Sequence, residues 1–367
     1  MKTSLFHSNE KVLLVGEGNF SFGVCLSKLD QSISLTATCY ESPIVFESAK
    51  KNAEYLRNHG RCEKAYVSSF ENLFQSQTLI TFIYSGARVL LGVDATKLGE
   101  YFPLVSEEFD KIIFNFPHTG GKMKISRNRK LLREFFISAE NLIKRTGSIL
   151  VSLCNGQGGT PADSPQRRWD DSWQIVEMAA YGNFLLTGVQ PFSRDEFPGY
   201  TSVGYRSLEK GFGTENLLVH IFQKAEKPDS FNIALISDLN FQDLMEFKGT
   251  VNWRQMTARL SEKNMFYRPS ISSIYPLRYV FDITFSVGPE FTELNFYLTL
   301  YRFAGNLIEI VDFLGAYEFS ESAKVTRSYR IGYRSPYFPL YRARVIDIHQ
   351  NVVTNILEDH LNVTVTK

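Results

Sequence analysis

Cysteine is scarce in this 367-residue chain: Cys25, Cys39, Cys62 and Cys154 are all there is, and no two of them stand as C-x-x-C. That spacing argues against a zinc ribbon and a disulfide-stapled scaffold, so a reduced, intracellular protein without a metal site is expected. Charge of one sign is missing too, since 40 basic side chains face 39 acidic ones for a formal net charge of +1. A histone-like polycation and an acidic tail are thereby excluded, and any nucleic-acid contact must come from a local patch. Long apolar runs are absent: there is no stretch of 18 or more apolar residues, and Met1–Lys11 carries no apolar segment of signal-peptide length. A soluble protein with no membrane partner is expected, cytoplasmic, with the nucleolus as the alternative location. What is abundant is apolar side chain, 44% of a chain about twice the usual single-domain length.

Apolar runs and helical periodicities alternate through the first 220 or so residues. Strands are expected at Val12–Val15, Ser32–Tyr40, Arg88–Val93, Lys111–Phe116, Ser148–Cys154, Phe184–Val189 and Leu217–Phe222. Helices are expected between the first two strands, over Val45–His59, over Asn128–Lys144 and near Ser172–Tyr181. Such alternation implies a parallel, doubly wound α/β sheet, placed at residues 1–225. A polar, proline-containing change of composition near Ala225–Pro228 opens a connector, 226–274, with apolar islands of its own. From Tyr275 the order is βαββαβ, with strands at Tyr279–Val287, Leu307–Leu314, Ser328–Tyr333 and Val363–Thr366 and helices at Thr292–Phe303 and Ala343–Leu357. That order is an α+β ferredoxin-like sandwich, residues 275–367.

The first strand runs into Gly16-Glu17-Gly18-Asn19-Phe20-Ser21 and then a helix. Glycine is wanted where a cofactor approaches the backbone and φ turns positive. Ser21 at the third position breaks the dinucleotide fingerprint G-x-G-x-x-G, but the turn still suits a nucleoside cofactor without pyrophosphate, such as S-adenosylmethionine. Glu41 closes the second strand, where a carboxylate can accept from both ribose hydroxyls, and Asp94 closes the third. Either carboxylate could instead cap a helix.

The fourth strand opens into Asn115-Phe116-Pro117-His118-Thr119-Gly120-Gly121. Ligands in open α/β sheets sit beyond such strand ends. Asn115 can orient a planar base by hydrogen bonds, Phe116 offers a face for stacking, and His118 can accept a proton, which methylation of a uridine imide nitrogen requires. Satisfying backbone groups is the alternative use of each. Lys122–Arg145 follows with eight basic residues against Glu134 and Glu140, either a phosphate-binding segment or a solvated helix face. Gly156–Pro165, rich in glycine and proline, reads as a flexible lid or substrate edge, and Phe197–Tyr200 with Gly204–Ser207 as another loop.

Val15–Phe22, Ala37–Glu41, Gly92–Thr96, Phe114–His118, Asn128–Leu132 and Pro198–Tyr200 resemble the ribosomal RNA uridine-N3 methyltransferases. The resemblance implies a Rossmann-like methyltransferase domain with S-adenosylmethionine as cofactor. On it, Gly16, Glu17, Gly18, Asn19, Phe20, Glu41, Asp94 and Asn115 bind the cofactor, and Asn115 and His118 lie at the target base. The basic run that the family has after Pro-Gly-Tyr is replaced by Thr201–Arg206. The C-terminal part, through Pro276–Ile283, Gly305–Asp312, Ser328–Ser335 and Val345–His349, is similar to the ferredoxin-fold anticodon-binding domain of phenylalanyl-tRNA synthetases.

Residues 275–367 hold nine basic against ten acidic residues, unevenly placed. Lys324, Arg327, Arg330, Arg334, Arg342 and Arg344 fall in Ser322–Ile346, which contains no acid and is interleaved with tyrosines. Cations there could grip phosphates while exposed rings stack on bases, although half of the strand aromatics must face the core. The partner expected is a structured RNA, ribosomal or transfer. The leading expectation is an S-adenosylmethionine-dependent RNA base methyltransferase acting on uridine N3, and the alternative is an inactive RNA-binding relative.

Overall fold

The computed structural model describes residues 5–44, 46–60, 62–72, 75–119, 124–202, 216–226, 252–262, 270–319 and 324–366, with backbone alone at 62–72, 75–85, 102–103, 258–262, 319 and 324. Gly120, Gly121, Lys122, Gly204–Ser207 and much of the expected connector lie outside them. The chain forms two compact units, Met1–Lys224 and Ala225–Lys367.

In the first unit the order is β1 (Lys11–Val15), α1 (Ser21–Leu29), β2 (Ser34–Cys39), α2 (Glu47–His59), β3 (Cys62–Asn72), β4 (Gln75–Ser85), β5 (Arg88–Leu91), α3 (Phe102–Val105), β6 (Phe109–Asn115), α4 (Ile125–Ala139), β7 (Ile143–Leu153), α5 (Ile175–Ala180), β8 (Phe184–Pro191) and β9 (Leu218–Lys224). Seven strands make one sheet in the order β5-β2-β1-β6-β7-β9-β8, while β3 and β4 pair antiparallel as a separate ribbon. Strand β9 runs antiparallel to both its neighbours, and the pairs from β5 to β7 are parallel. This is a Rossmann-like, doubly wound sheet closed by an antiparallel strand.

Its central strands are buried on both faces, as a parallel sheet between helices requires. Val12, Leu14, Leu35 and Ala37 pack in one core with Leu26 of α1 and Leu56 of α2. Phe114 meets Phe135 of α4 at 4.9 Å between ring centroids, and Phe136 meets Phe222 at the same separation. From β1 the chain works outward to β2 and β5, then returns to lay β6 on the other side of β1. Order therefore reverses between β1 and β6, and a crevice at that switch point is where such sheets bind ligands.

The second unit contains α6 (Trp253–Glu262), β10 (Tyr279–Val287), α7 (Glu293–Ala304), β11 (Ile308–Phe319), β12 (Lys324–Tyr333), α8 (Arg342–Asp347), a π-helical stretch (Ile348–Val353), α9 (Thr354–Leu361) and β13 (Thr364–Val365). The sheet order β11-β12-β10-β13 with antiparallel pairing is the ferredoxin-like arrangement. Phe285, Phe296, Tyr329 and Tyr333 are fully buried at its centre. Trp253 and Met256 of α6, within the expected connector, belong to this core, because burying an indole and a thioether there removes apolar surface from water.

Candidate cofactor and active site

Three residues other than glycine or asparagine hold a positive φ among the described residues: Phe20 at 60°, Phe116 at 52° and Gln174 at 53°. They follow β1, β6 and β7, so all lie beyond the C-terminal ends of parallel strands. A left-handed residue with a bulky side chain costs on the order of 1–3 kcal/mol and persists only where its surroundings over-determine it.

At the glycine turn, Gly16 has φ +67°, and a Cβ there would stand 2.7 Å from Cε2 of Phe114. The first turn of α1 is capped from within the turn. Asn19 Oδ1 accepts from the Ser21 amide at 3.1 Å, and Glu17 Oε2 accepts from the Gly23 amide at 3.3 Å. Burial pushes the Glu17 carboxyl up to about 7, against the lowering effect of the Gly23 and Phe22 amides. The side chains of Glu17 and Asn19 are thus engaged in shaping the turn, and the Phe20 ring lies fully buried in the core. Of this string, Gly16 and Gly18 are left to offer backbone alone to a ligand.

A segment 180 residues away clamps the turn from outside. Asn19 Nδ2 donates to Thr201 Oγ1 at 2.7 Å, Ser21 Oγ donates to the Thr201 carbonyl at 2.9 Å, and the Thr201 amide donates to Ser21 Oγ at 3.0 Å. Cys25 Sγ donates to the Pro198 carbonyl at 3.1 Å, while Tyr200 packs against Phe22 at 5.4 Å between centroids. Asn52 Nδ2 donates to the Asn19 carbonyl at 2.8 Å. Thr201 and Asn52 thus brace the turn, a role the sequence did not mark; the neighbouring Pro198–Tyr200 string was the one available signal.

Glu41 and Asp94, beyond β2 and β5, line a cavity of about 740 Å³ with Tyr40, Gly92, Lys97 and Tyr101. Glu41 is exposed and accepts from Cys39 Sγ at 2.9 Å. Asp94 Oδ1 accepts from the amide and hydroxyl of Thr96, both at 2.8 Å, so this carboxylate does serve as a cap as well as lining the cavity.

At the end of β6, Ser152 Oγ donates to Asn115 Oδ1 at 2.7 Å. This fixes the amide and leaves Asn115 Nδ2 a buried donor with no partner among the described residues. Thr119 donates its amide and hydroxyl to Asn128 Oδ1 at 3.2 and 3.1 Å, tying the strand-end loop to α4. The His118 ring stands 6.4 Å from Trp173, and partial burial holds its pKa below the usual imidazole value. A neutral imidazole near pH 7 can accept a proton.

The Gly156–Pro165 loop is not the flexible lid expected from its composition. Its buried Asp163 accepts from the amides of Gly156 and Thr160, each at 2.7 Å, and Asn155 Oδ1 accepts from the Ser164 amide at 2.6 Å. Glycine serves close packing here: a Cβ at Gly158 would approach Nε2 of the buried His220 to 2.6 Å.

The basic residues of the second unit do not converge. Alternation along β12 sends Arg327 to the helix-covered face, where it stacks between Phe291 and Phe313, and Arg330 to the opposite one. Arg330 forms a two-pronged pair with Asp282 of β10 at 2.7 and 2.8 Å, and Arg334 pairs with Glu309 at 3.0 Å. Arg344 donates to the Pro339 carbonyl at 2.8 Å, Arg342 lies over the Phe281 ring, and Lys324 begins β12. Two of the arginines in the acid-free stretch of sequence are therefore neutralised by acids on neighbouring strands.

The residues present fit S-adenosylmethionine. With the Ser21 and Gly23 amides of α1 taken up by Asn19 and Glu17, that helix end offers a pyrophosphate fewer donors, and the buried Glu17 carboxyl beside them disfavours a dinucleotide further. An exposed carboxylate at Glu41 suits a ribose diol, and the acidic lining of Glu41, Asp94 and Glu100 disfavours a phosphorylated ribose. Residues 13–204, just over half of the chain, match the family described as rRNA (uridine-N3-)-methyltransferase BTM5-like. The chain belongs to this family. It is 44% identical over 231 residues to human ferredoxin-fold anticodon-binding domain-containing protein 1, covering 61% of this chain and 33% of that one. The chain thus spans about a third of the length of that relative. It is 23% identical over 227 residues to the 25S rRNA (uridine(2634)-N(3))-methyltransferase of Saccharomyces cerevisiae, covering 54% of this chain and 67% of the relative. The fibrillarin pre-rRNA processing protein of Methanococcus jannaschii aligns over 61% of this chain and 70% of its own, with 12% identity and a TM-score of 0.34.

Proposed function

We propose that this chain transfers a methyl group from S-adenosylmethionine to N3 of a uridine in a structured RNA, ribosomal RNA before transfer RNA. The observation that carries the reading is the orphaned Asn115 donor at the switch point, beside a strained Phe116 and a neutral His118. Uridine N3 lies between two ring carbonyls, both acceptors, so a fixed amide N–H engages one of them and orients the ring. His118 takes the N3 proton, which leaves the nitrogen lone pair able to form the new bond. Bound S-adenosylmethionine supplies an electrophilic methyl on a sulfonium. Gly16 and Gly18 permit close approach of that cofactor to the backbone, Glu41 holds its ribose, and Asp94 lines the same cavity.

The second unit has an accessory RNA-contact role in this reading. Its ferredoxin-like fold carries the basic side chains of the acid-free stretch, but Arg330 and Arg334 would have to exchange a carboxylate for a phosphate.

The test is methyl transfer to ribosomal RNA and tRNA transcripts, with the modified nucleoside identified by mass spectrometry. Asn115→Ala is expected to lower turnover on the order of 100- to 1,000-fold with the fold intact, as loss of a preorganised donor does. His118→Ala is expected to lower it at least about 100-fold and to flatten the pH profile. A wild-type rate in both variants would refute the assigned roles, and a well-folded chain that methylates no RNA would favour the inactive RNA-binding alternative.

A further inference from the structure

Arg330 and Arg334 of the second unit are matched by carboxylates, yet a different group of cations in the first unit has no carboxylate partner among the described residues. Lys124 and Arg127 lie at the start of α4, and Arg167 and Arg168 lie in the loop after β7; all four are exposed. Among the described residues none of the four is in an ion pair, in contrast to Arg330 and Arg334. The strand-end loop with His118 leads directly into this helix.

Two side chains make one surface of these segments. Arg129, one turn into α4, donates to the carbonyls of Asp170 and Ser172, each at 2.7 Å through Nη2, and again to Ser172 through Nε at 3.0 Å. Asn128 holds Thr119 to the same helix. Helix α4, the strand-end loop and the 166–173 loop are thereby fixed to one another. Trp173 buries its ring beneath His118, whereas Trp169, four residues earlier, leaves 37% of its surface exposed. Arg167 reaches back toward the crevice: its Nε lies 3.2 Å from where a Cβ at Gly156 would be, and its charge lowers the pKa of the Cys154 thiol against the larger effect of burial. Asp170 and Asp171 adjoin the group and leave it a net charge of about +2, counting the four cations and these two acids.

We propose that the catalytic unit binds its RNA directly, on the surface formed by Lys124, Arg127, Arg167 and Arg168 around the ring of Trp169. The proposal rests on the RNA methyltransferase reading and deepens it by naming where the strand lies. The cations engage phosphates on either side of the target, and the Trp169 ring stacks on an unpaired base next to it. The strand is single or locally opened, because a base cannot enter the crevice from within a duplex stack. The paired arginines of the second unit contribute less, since each must give up a carboxylate before it gains a phosphate.

The test is equilibrium binding of a fluorescein-labelled oligouridylate to the 367-residue chain by anisotropy across a salt series. Calorimetry with S-adenosylmethionine on each variant serves as a fold and cofactor control. In Arg167→Gln/Arg168→Gln, and separately in Lys124→Gln/Arg127→Gln, the slope of log affinity against log salt should shrink by about 0.7 for each phosphate no longer neutralised. In Trp169→Ala affinity should fall about 5- to 100-fold with the slope unchanged. Arg330→Gln/Arg334→Gln should bind almost as tightly as wild type, and all four variants should keep cofactor affinity. The proposal is overturned if Arg167→Gln/Arg168→Gln retains the wild-type slope while Arg330→Gln/Arg334→Gln loses it, or if the wild-type chain fails to bind the oligonucleotide at low salt. Loss of S-adenosylmethionine binding by the wild-type chain, with oligouridylate binding retained, would instead strike the methyltransferase reading and leave this surface standing.

Discussion

The two sheets of this molecule both pair charged side chains, Lys144 with Asp110 in the first, but they treat backbone geometry in opposite ways. In the ferredoxin-like unit, polar side chains on the open face pair across strands: Arg330 with Asp282, Arg334 with Glu309, and Thr284 with Ser328 at 2.8 Å. Among its described residues, the one positive φ outside glycine is at Asn362, which ends α9 in the left-handed conformation that asparagine tolerates. In the Rossmann-like unit, the residues that follow β1, β6 and β7 break the backbone habit, with Phe20, Phe116 and Gln174 left-handed. Buried polar atoms without a partner among the described residues occur in both units, at Trp253 Nε1 and Ser273 Oγ as well as Asn115 Nδ2, but only the Asn115 amide stands beside such a residue at a parallel strand end. The first pattern is what stability alone produces. The second is tolerated where a ligand completes the arrangement, so the lesson is to seek the chemistry where local rules are broken together.

That contrast can be sharpened by experiment. The clamp on the glycine turn should matter more for binding than its size suggests, because it helps to hold Phe20 in a conformation the residue disfavours. Thr201→Val, which keeps shape and removes the hydroxyl that accepts from Asn19, should weaken S-adenosylmethionine about tenfold, the loss of roughly one to two hydrogen bonds. Thr201→Ser should restore it. Titration of both variants by calorimetry at a temperature where each is fully folded separates this from a loss of stability, and equal affinities in Val and Ser would remove the clamp from the account.

A smaller effect is expected at Glu17. Its carboxyl is raised from 4.5 to about 7 in the folded chain, so the native state binds the proton more tightly than the unfolded one. The stabilisation linked to that proton is present below about pH 4.5 and is lost as pH rises through 7. Urea-unfolding midpoints for wild type and Glu17→Gln should therefore diverge between about pH 5 and 7.5, with wild type losing ground. Parallel curves would mean that the carboxyl titrates normally. The smallest effect belongs to the other sheet: Arg330→Gln breaks an exposed ion pair that solvent screens, and its urea-unfolding midpoint should stay close to that of wild type.

Much of the first sheet was legible in the sequence because each apolar run ends at a residue type that strand ends favour. Gly16, Glu41, Asp94 and Asn115 all stand at or just beyond the strands expected to carry them. The ribbon of β3 and β4 was passed over, although the β-rich string Thr78–Tyr84 carried a signal. Helix α4 ends at Ala139 rather than Lys144, and β7 starts at Ile143, because Ile143 pairs with Phe109 across the sheet. The clamp at Thr201 could not be read, since its partners lie 180 residues away and no local pattern marks a hydroxyl that will meet Asn19. The second unit shows the same limit from the other side. Ser322–Ile346 lacks acids in sequence, yet cross-strand register brings Asp282 to Arg330, and the neighbouring Glu309 reaches Arg334. Alternation along a strand required about half of the aromatics there to face inward, and the structure shows which: Tyr329 and Tyr333 share the parity of the core positions of β12 and are fully buried.

The function proposed for this chain depends on the strand-end crevice being an S-adenosylmethionine site with Glu41 on the ribose. Isothermal calorimetry of S-adenosylmethionine and S-adenosylhomocysteine against the 367-residue chain and its Glu41→Ala variant decides the matter. Saturable binding by wild type that disappears in Glu41→Ala, with the variant's circular dichroism and melting unchanged, is the result this account predicts. Undiminished binding in Glu41→Ala, or no binding of either compound by a well-folded wild-type chain, would contradict it.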